Sequence, residues 1–160
     1  MVAEVVSSIV PPVIILVEPT LGENIGAAAR AMMNFGLPDM RLVRPKGDWP
    51  NPKAINTSSG AERILEQASI FNTTEQAVAD LQHLYATTAR ARDMVKPVIA
   101  PRELAKTLHA NCVVGEKSGV MFGREAKVYI TTTSLFQMGS LWFPSARNIV
   151  HLILLNAFYW

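Results

Sequence analysis

The sequence predicts an α/β fold, a mostly parallel sheet flanked by helices, and two observations support this prediction. Apolar segments of strand length alternate along the chain with segments whose apolar residues recur at helical spacing, which is the order that α/β proteins show. The segment 13–18, VIILVE, is apolar at nearly every position, which is typical of a strand buried on both faces in a parallel sheet. The chain has 160 residues and no internal repeat or interdomain linker, so we expect residues 1–160 to form one domain.

The predicted elements follow in chain order. After the first strand, helical spacing predicts a helix that Asn24 caps and Gly36 ends. A short strand at 40–43 precedes a segment at 45–59 that is rich in Pro, Asn, Gly and Ser and is predicted to be a loop. The remaining predictions are a weak helix at 60–68, a helix at 74–81 capped by Thr74, a strand at 83–87, a helix over 101–108 with Pro101 in its first turn, strands at 119–122 and 128–133, and an apolar helix at 147–160.

Composition limits the environment and the chemistry. Only 18% of residues are charged and 49% are hydrophobic, which argues against disorder. The single cysteine, Cys112, excludes a disulfide framework and a multi-cysteine zinc site, and His83, His109 and His151 have no partners at the spacing of metal ligands. No apolar run approaches the ~20 residues that span a bilayer, and the N-terminus lacks the basic region of a signal peptide. We therefore expect a cytoplasmic protein without a metal or a membrane partner.

The basic residues are grouped, although the formal net charge is only +2. One group lies near the second predicted strand and another follows the strand at 83–87. Grouped basic residues on loops fit a phosphate backbone, while charge alone is equally consistent with an ordinary solvated surface. The spacing of Gly22 and Gly26 does not fit the GxGxxG dinucleotide fingerprint. The groups comprise Arg41, Arg44, Lys46 and Lys53, and then Arg90, Arg92 and Lys96.

The segment 16–36, LVEPTLGENIGAAARAMMNFG, resembles motif 1 of the SPOUT superfamily, specifically that of the TrmH-like RNA 2′-O-ribose methyltransferases. Further matches follow in order: SSGA at 58–61, TTARAR at 87–92 and VMFGRE at 120–125. The TTARAR segment and the PRE at 101–103 look closest to the TrmJ branch, which methylates tRNA in the anticodon loop. The resemblance covers residues 13–125 and resumes weakly at 148–160.

The resemblance implies S-adenosyl-L-methionine as the methyl donor, held in a C-terminal trefoil knot, which is a known exception to the rule that chains do not thread loops. It also implies a homodimer, with motif 1 of one subunit facing the cofactor of the other. The implied function is 2′-O-ribose methylation of RNA, with a cytidine or uridine in the anticodon loop of tRNA as the expected target. Ribosomal RNA methylation, or a non-catalytic RNA-binding dimer with the knot fold, are the alternatives.

The resemblance also assigns roles to residues. Arg30 matches the motif 1 arginine at the target ribose. Because a guanidinium stays protonated, we expect Arg30 to grip a phosphate and to orient the 2′-hydroxyl. Asn24 and Glu125 match the motif 1 asparagine and the motif 2 glutamate, which are expected to hydrogen-bond across the site. The expected cofactor contacts are Thr87, Thr88, Ala89, Phe122, Gly123 and Asn148, and the expected RNA contacts are Arg41, Arg44, Arg90 and Arg92.

After Glu125 the sequence departs from the family pattern. The family continues with a Gly-Leu run, an asparagine and acidic residues, whereas this chain continues with AKVYITTTS and has no acidic residue beyond Glu125. Residues 146–148 read Ala-Arg-Asn where the family has Ser-Leu-Asn. We hypothesise that residues 126–147 are altered, truncated or misread, which would affect the cofactor site. We also expect the C-terminal RNA-binding extension of the TrmJ relatives to be absent.

Overall fold

The computed structural model of the protein describes residues 9–88, 99, 101–123 and 140–142. Within these residues strands and helices alternate, as the sequence predicts. The strands are β1 (Val13–Val17), β2 (Met40–Val43), β3 (Ser69–Phe71), β4 (His83–Thr88), β5 (Ser118–Phe122) and β6 (Ser140–Trp142). The helices are α1 (Gly22–Asn34), α2 (Pro52–Ser58), α3 (Glu62–Glu66), α4 (Thr74–Val78) and α5 (Pro101–Val113).

The six described strands form one sheet in the order β3-β2-β1-β5-β4-β6. Every pair in it is parallel, which confirms the predicted fold class. Strand β1 lies near the middle, with Ile14 aligned with Met40 of β2 and with Val120 of β5. The chain winds from β1 outward through β2 and β3, and the later strands lie on the other side of β1. The boundary between β1 and β5 is therefore the point where the winding reverses, and open α/β sheets bind their ligands at such points.

Both faces of the sheet are covered by apolar side chains. On one face, Ile14 and Leu16 of β1 belong to a core that includes Met32 of α1 and Leu104 of α5. On the other face, alternate β1 residues such as Ile15 belong to a second core, which includes residues of α4 and β4. Successive side chains of a strand point to opposite faces, so a strand covered on both sides is apolar throughout. This explains the near-continuous apolar sequence at 13–18.

The two ends of α1 differ in how well the sequence predicted them. Gly36 has φ +68°, and the amide of Leu37 donates to the Met32 carbonyl at 2.9 Å, which is the glycine-ended arrangement expected at a helix C-terminus. At the other end, Asn24 is not the N-cap. The helix begins at Gly22, the capping position is Leu21, and no side chain caps it. Asn24 instead lies within the first turn.

The segment 45–59, predicted to be a loop, contains helix α2. Asn51 caps this helix, because its Oδ1 accepts from the amides of Lys53 (3.0 Å) and Ala54 (3.4 Å), and Pro52 occupies the first turn. An Asn-Pro pair is a recognised helix start. The loop prediction was wrong because the Pro, Asn, Gly and Ser content of the segment is typical of a loop, whereas the order of Asn51 and Pro52 defines a helix start.

The other differences are smaller. The weak helix predicted at 60–68 is the shorter α3, and α4 ends at Val78 and is capped by Thr73 instead of Thr74. The short strand β3 was not predicted. It is an edge strand whose first two residues are exposed, so it lacks an apolar signal. The strand predicted at 128–133 and the helix predicted at 147–160 lie outside the described residues, as does the segment of the expected knot that follows residue 123, apart from residues 140–142.

The described residues contain neither a candidate membrane-spanning helix nor a candidate metal site. None of their helices has the length and apolar character needed to cross a membrane. Within the same residues no three His, Cys, Asp or Glu side chains are grouped as a metal site would require.

Candidate active site

The carboxyl ends of β1, β4 and β5 meet at one edge of the sheet. Leu16 is aligned with Phe122, and Ala86 with Met121, so the last residues of these three strands lie side by side. Helix α1 begins a few residues after β1 and starts from the same edge. The structure therefore brings together, at the point where the winding reverses, residues that sequence analysis selected separately. They are Asn24 in the first turn of α1, Thr87 and Thr88 at the end of β4, and Phe122 and Gly123 at the end of β5.

The side chains of Thr87 and Phe122, near the ends of β4 and β5, point into the protein. Thr87 is buried, and its hydroxyl donates to the Met121 carbonyl at 3.3 Å. Phe122 is buried in the same core as Leu16. Gly123, which follows directly, is half-buried. A ligand at this edge would therefore meet main-chain groups and small side chains, the kind of surface that recognises a compact cofactor.

Arg30 lies on α1 at some distance from the strand ends. It follows Asn24 by six residues, which is about 9 Å along the axis at 1.5 Å per residue. Its side chain is exposed, as are those of Ala27 and Asn34 on the same face of the helix. Asn24 is half-buried. The structure thus places Asn24 at the edge of its own sheet and places Arg30 on an outward-facing surface.

Helix α1 packs very closely against α2 through two glycines. A Cβ on Gly22 would overlap the Asn51 side chain, and a Cβ on Gly26 would overlap the Thr57 hydroxyl and the Ala54 carbonyl. The glycine pair whose spacing did not fit a dinucleotide motif therefore serves helix packing. Sequence analysis missed this contact, although glycines four residues apart lie on one face of a helix and were a usable signal.

Charged groups strengthen the contact between α1 and α2. The Lys53 ammonium lies 3.3 Å from a carboxylate oxygen of Glu23 in the first turn of α1. The Glu23 main-chain carbonyl is within hydrogen-bond distance of the Thr57 hydroxyl, at 3.3 Å. The pKa of Glu23 is lowered, first by a hydrogen bond from its own backbone amide and then by Lys53. The first turn of α1 is thus held from the α2 side.

The SSGA segment at 58–61 forms the turn between α2 and α3. Ser58 is fully buried, and its hydroxyl donates to the Ile55 carbonyl at 2.8 Å. Ser59 and Gly60 both have positive φ, +48° and +95°, so the chain reverses within two residues. In the described structure, the SSGA segment therefore serves to reverse the chain between α2 and α3.

An ion pair connects the ends of β1 and β2. Glu18 and Arg44 each follow the last residue of a strand, and both have positive φ, 49° and 45°. The Arg44 Nη2 and Nε donate to the same Glu18 oxygen at 2.8 Å and 3.2 Å. The Nη1 of Arg44 donates to the Asn72 carbonyl just beyond β3, at 3.1 Å. The Arg44 side chain is still 54% exposed.

The prediction for Arg41 is wrong. This residue was predicted to contact RNA, but it is buried with only 6% of its surface exposed. Its guanidinium binds both carboxylate oxygens of Asp80, both of Asp39 and the Ala77 carbonyl, and it lies 5.9 Å from the centre of the Phe71 ring. A side chain with these partners is not available to a phosphate. Net charge and spacing could not reveal this, because burial depends on residues distant in sequence.

Several predicted site residues lie outside the described residues. They are Ala89, Arg90, Arg92, Glu125 and Asn148.

The matches to known proteins agree with this geometry. Residues 11–129 match the profile of the SpoU rRNA Methylase family, a span that includes both α1 and the ends of β4 and β5. The chain belongs to the SpoU rRNA methylase family. The resemblance to the TrmH-like and TrmJ-like enzymes is therefore confirmed.

Two members of the family with known names and one solved structure are similar to this chain. The chain is 37% identical over 112 residues to the tRNA (cytidine/uridine/adenosine-2′-O-)-methyltransferase TrmJ of Pseudomonas aeruginosa, covering 70% of this chain and 43% of that protein. It is 37% identical over 115 residues to the tRNA (cytidine-2′-O-)-methyltransferase TrmJ of Methanocaldococcus jannaschii, covering 70% and 48%. The crystal structure of TrmJ from Z. mobilis superposes with a TM-score of 0.81 at 40% identity, covering 93% of this chain and 69% of that one. The chain thus spans less than half the length of the first two relatives.

Proposed function

We propose that this chain is an S-adenosyl-L-methionine-dependent RNA 2′-O-methyltransferase that acts in the cytoplasm, with a cytidine or uridine in the anticodon loop of tRNA as its substrate. The observation that carries the proposal is the meeting of Asn24, the Thr87–Thr88 end of β4 and Gly123 at one edge of the sheet. These residues match three separate family motifs. Both TrmJ relatives named above are tRNA 2′-O-methyltransferases, and this supports the choice of substrate.

The residues at this edge fit the proposed cofactor. Gly123 is half-buried beside β4, and the neighbouring side chains are small or turned inward, so adenosine would meet main-chain donors and acceptors. Thr87, Thr88, Ala89, Phe122 and Gly123 would hold it, and Asn148 would join them in the proposed C-terminal knot. When bound, S-adenosyl-L-methionine supplies an electrophilic methyl group on a sulfonium centre.

The outward position of Arg30 supports a homodimer in which each α1 faces the cofactor of the other subunit. In that arrangement Arg30 holds an RNA phosphate with two N–H groups and aligns the ribose 2′-hydroxyl with the methyl group. A guanidinium stays protonated at neutral pH, so Arg30 does not remove the hydroxyl proton. Asn24 and Glu125 hydrogen-bond across the site and keep these groups in register.

RNA binding in this proposal depends on the exposed basic residues near the same edge. Arg44 and Lys46 are exposed there, and Arg90 and Arg92 follow β4 in the sequence. Three of the five N–H groups of Arg44 are donated to Glu18 and Asn72, so within the described part of the chain two remain for a phosphate oxygen. Arg41 is not part of this RNA-binding surface, because it is buried and paired with Asp39 and Asp80.

A second candidate function is favoured by the departure from the family pattern after Glu125. A chain with altered residues 126–147 could retain the fold and bind RNA as a dimer without binding the cofactor. Titration calorimetry with S-adenosyl-L-methionine separates the two functions, because only the enzyme must bind it.

The decisive experiment is methyl transfer from labelled S-adenosyl-L-methionine to total tRNA and, in a parallel reaction, to ribosomal RNA, followed by mapping of the modified ribose. We expect label at one 2′-oxygen in the anticodon loop. Label on ribosomal RNA alone would move the substrate assignment to rRNA. Cofactor binding without transfer to either RNA would contradict the proposed activity.

A further inference from the structure

Glu18 and Arg44 share an unusual backbone conformation at neighbouring positions in the sheet. Each is the first residue beyond its strand, and each has a left-handed φ, 49° and 45°. Side chains with a Cβ are sterically disfavoured in this region. Such residues persist only where the surrounding contacts hold them, and they concentrate at functional sites. Two of them on adjacent strands, joined by an ion pair, therefore indicate that the chain holds this corner in a defined shape.

Main-chain hydrogen bonds link the same corner to the next strands. The Glu18 amide donates to the Val43 carbonyl at 2.8 Å, and the Arg44 amide donates to the Phe71 carbonyl at 3.0 Å. The Lys46 amide donates back to the Pro19 carbonyl, at 3.0 Å. Together with the side-chain contacts of Arg44, these bonds connect the ends of β1, β2 and β3. These bonds hold Glu18 and Pro19 and thereby fix the main chain where residues 19–21 begin.

The start of α1 depends on this path. Leu21 occupies the capping position but makes no side-chain cap, so the helix lacks the usual device that defines its first residue. Its position follows from two supports. On one side the close contact of Gly22 with Asn51 holds it, and on the other the chain enters from Glu18. The position of Asn24 in the first turn therefore depends on both of these supports.

We propose that Glu18 is a positioning residue for methyl transfer, and that it acts by holding Arg44 and so fixing residues 19–21 and the first turn of α1. The proposal rests on the proposed function for its catalytic consequence. Glu18 does not contact the substrate in this scheme. Arg44 has two tasks, since part of its guanidinium holds Glu18 and the remainder binds RNA phosphate.

Two simpler explanations make different predictions. An exposed ion pair that only joins two loops contributes little, and its removal should leave the site unchanged. A Glu18 carboxylate that only competes with RNA for Arg44 should weaken RNA binding, so that its removal strengthens it. The positioning role instead predicts a loss of catalytic rate without a change in RNA affinity.

The test compares Glu18→Ala, Arg44→Ala and the double variant with the control Arg63→Ala, all in the full chain. Alanine retains the Cβ and hence the unfavourable left-handed conformation, so these changes remove the contacts between Glu18 and Arg44 without relieving the backbone. Arg63 is an exposed cation on α3 and has no ion pair with any residue that the structure describes. Glu18→Gln keeps a hydrogen-bond acceptor for Arg44, so its changes in hydrogen exchange and rate should be smaller than those of Glu18→Ala.

The first measurement is amide hydrogen exchange over residues 18–26, without ligand. We expect faster exchange in Glu18→Ala and in Arg44→Ala, no additional increase in the double variant because the two residues act as one unit, and no change in Arg63→Ala. Unchanged exchange in Glu18→Ala overturns the inference, whether or not the chain is an enzyme. If Glu18→Ala does not fold, Glu18→Gln and Arg44→Lys provide the comparison, since lysine cannot reproduce the two-nitrogen contact.

The second measurement is the single-turnover rate of methyl transfer at saturating tRNA. Glu18→Ala should lower it roughly ten- to hundredfold, the effect of a small displacement of reacting groups, with RNA affinity within about twofold of the parent chain. Arg63→Ala should leave both the affinity and the rate unchanged. A Glu18→Ala variant with tighter RNA binding and an unchanged rate would show competition for Arg44 and refute positioning. Failure of the parent chain to transfer methyl contradicts the proposed function instead, and hydrogen exchange still decides the inference.

Discussion

Arg41 and Asp80 join strand β2 to the segment beyond helix α4 through two hydrogen bonds of 2.5 Å and 3.0 Å. Lys117, just before β5, binds the same carboxylate. Asp80 thus links elements on both sides of the central strand. Its pKa is held well below its ordinary value of 3.8, mainly by the hydrogen bonds from Arg41 and then by Lys117.

Asp80→Asn should lower the free energy of unfolding by about 1–3 kcal/mol near neutral pH, because it removes a charged acceptor from the buried Arg41. The folded-state pKa of Asp80 lies below the unfolded one, so its stabilisation is complete above about pH 4 and is lost as pH falls further. Urea unfolding of both chains across pH measures this effect. Glu66→Gln is the control, since Glu66 is an exposed carboxylate without an ion pair in the described part of the chain. A difference between parent and Asp80→Asn that stays constant down to pH 2 would contradict this assignment.

Gly26→Ala should destabilise the fold by about 1–3 kcal/mol, because the added methyl group must displace α2. Urea unfolding gives the value. Thr57→Ala in the same chain should restore only part of the loss, since the Ala54 carbonyl also stands in the way and belongs to the main chain. Full recovery by Thr57→Ala would show that the hydroxyl alone limits the approach of the two helices.

Arg30→Ala should reduce single-turnover methyl transfer by about a hundredfold or more, because the ribose loses its alignment. Cofactor affinity, measured by calorimetry, should remain nearly unchanged, since the proposed cofactor site lies at the ends of β4 and β5 and does not include Arg30. Arg30→Lys should also be poor, because an ammonium is a point charge. A lysine variant near the parent rate, with activity that rises with pH, would indicate a proton-accepting role and contradict positioning.

The dimer part of the proposal predicts complementation between subunits. Arg30→Ala and a cofactor-site variant such as Gly123→Leu should each be inactive. A randomly exchanged mixture should recover about one quarter of the parent activity, since half of the dimers are mixed and each of these has one intact site. Light scattering before and after mixing checks that the dimers exist. An inactive mixture of exchanged dimers would show that each site is formed within one subunit.

RNA affinity should fall steeply with salt, and each phosphate contact should contribute about −0.9 for duplex or −0.7 for single-stranded RNA to the log–log slope. Replacing Arg44, Arg90 or Arg92 with alanine should each reduce the slope by about that amount. Arg63, exposed on α3, provides the control, and its replacement should leave the slope unchanged. Slopes that do not respond to any of the three would place the RNA elsewhere on the protein.

Much of the sheet was predictable from sequence, for a physical reason. Strands β1, β2, β4 and β5 lie close to the predicted ranges, because strands covered on both faces carry mostly apolar residues. Edge strand β3 and helix α2 carry no such signal. For α2 the information was present in Asn51 and Pro52, which define the helix start locally, but the surrounding Gly and Ser residues obscured it.

The site was predictable to a different degree. Family motifs selected Asn24, Thr87 and Gly123, and the topology explains why they converge. Charge alone could not separate Arg41 from Arg44, because the two arginines are three residues apart in the same segment and differ only in their partners. The carboxylates that bury Arg41 come from positions 39 and 80, and the left-handed turns that hold Arg44 in place are a property of backbone angles that no residue count reports.

The glycines at positions 22 and 26 have a consequence for how the site responds to distant events. With no side chain on α1 at these two positions, its main chain lies directly against Asn51, Thr57 and the Ala54 carbonyl. A displacement of one helix must be transmitted to the other because tightly packed contacts cannot absorb it. Asn24 lies between the two glycines. A displacement of α2 is thus mechanically connected to the first turn of α1, and under the proposed function substitutions on α2 should alter turnover without touching substrate.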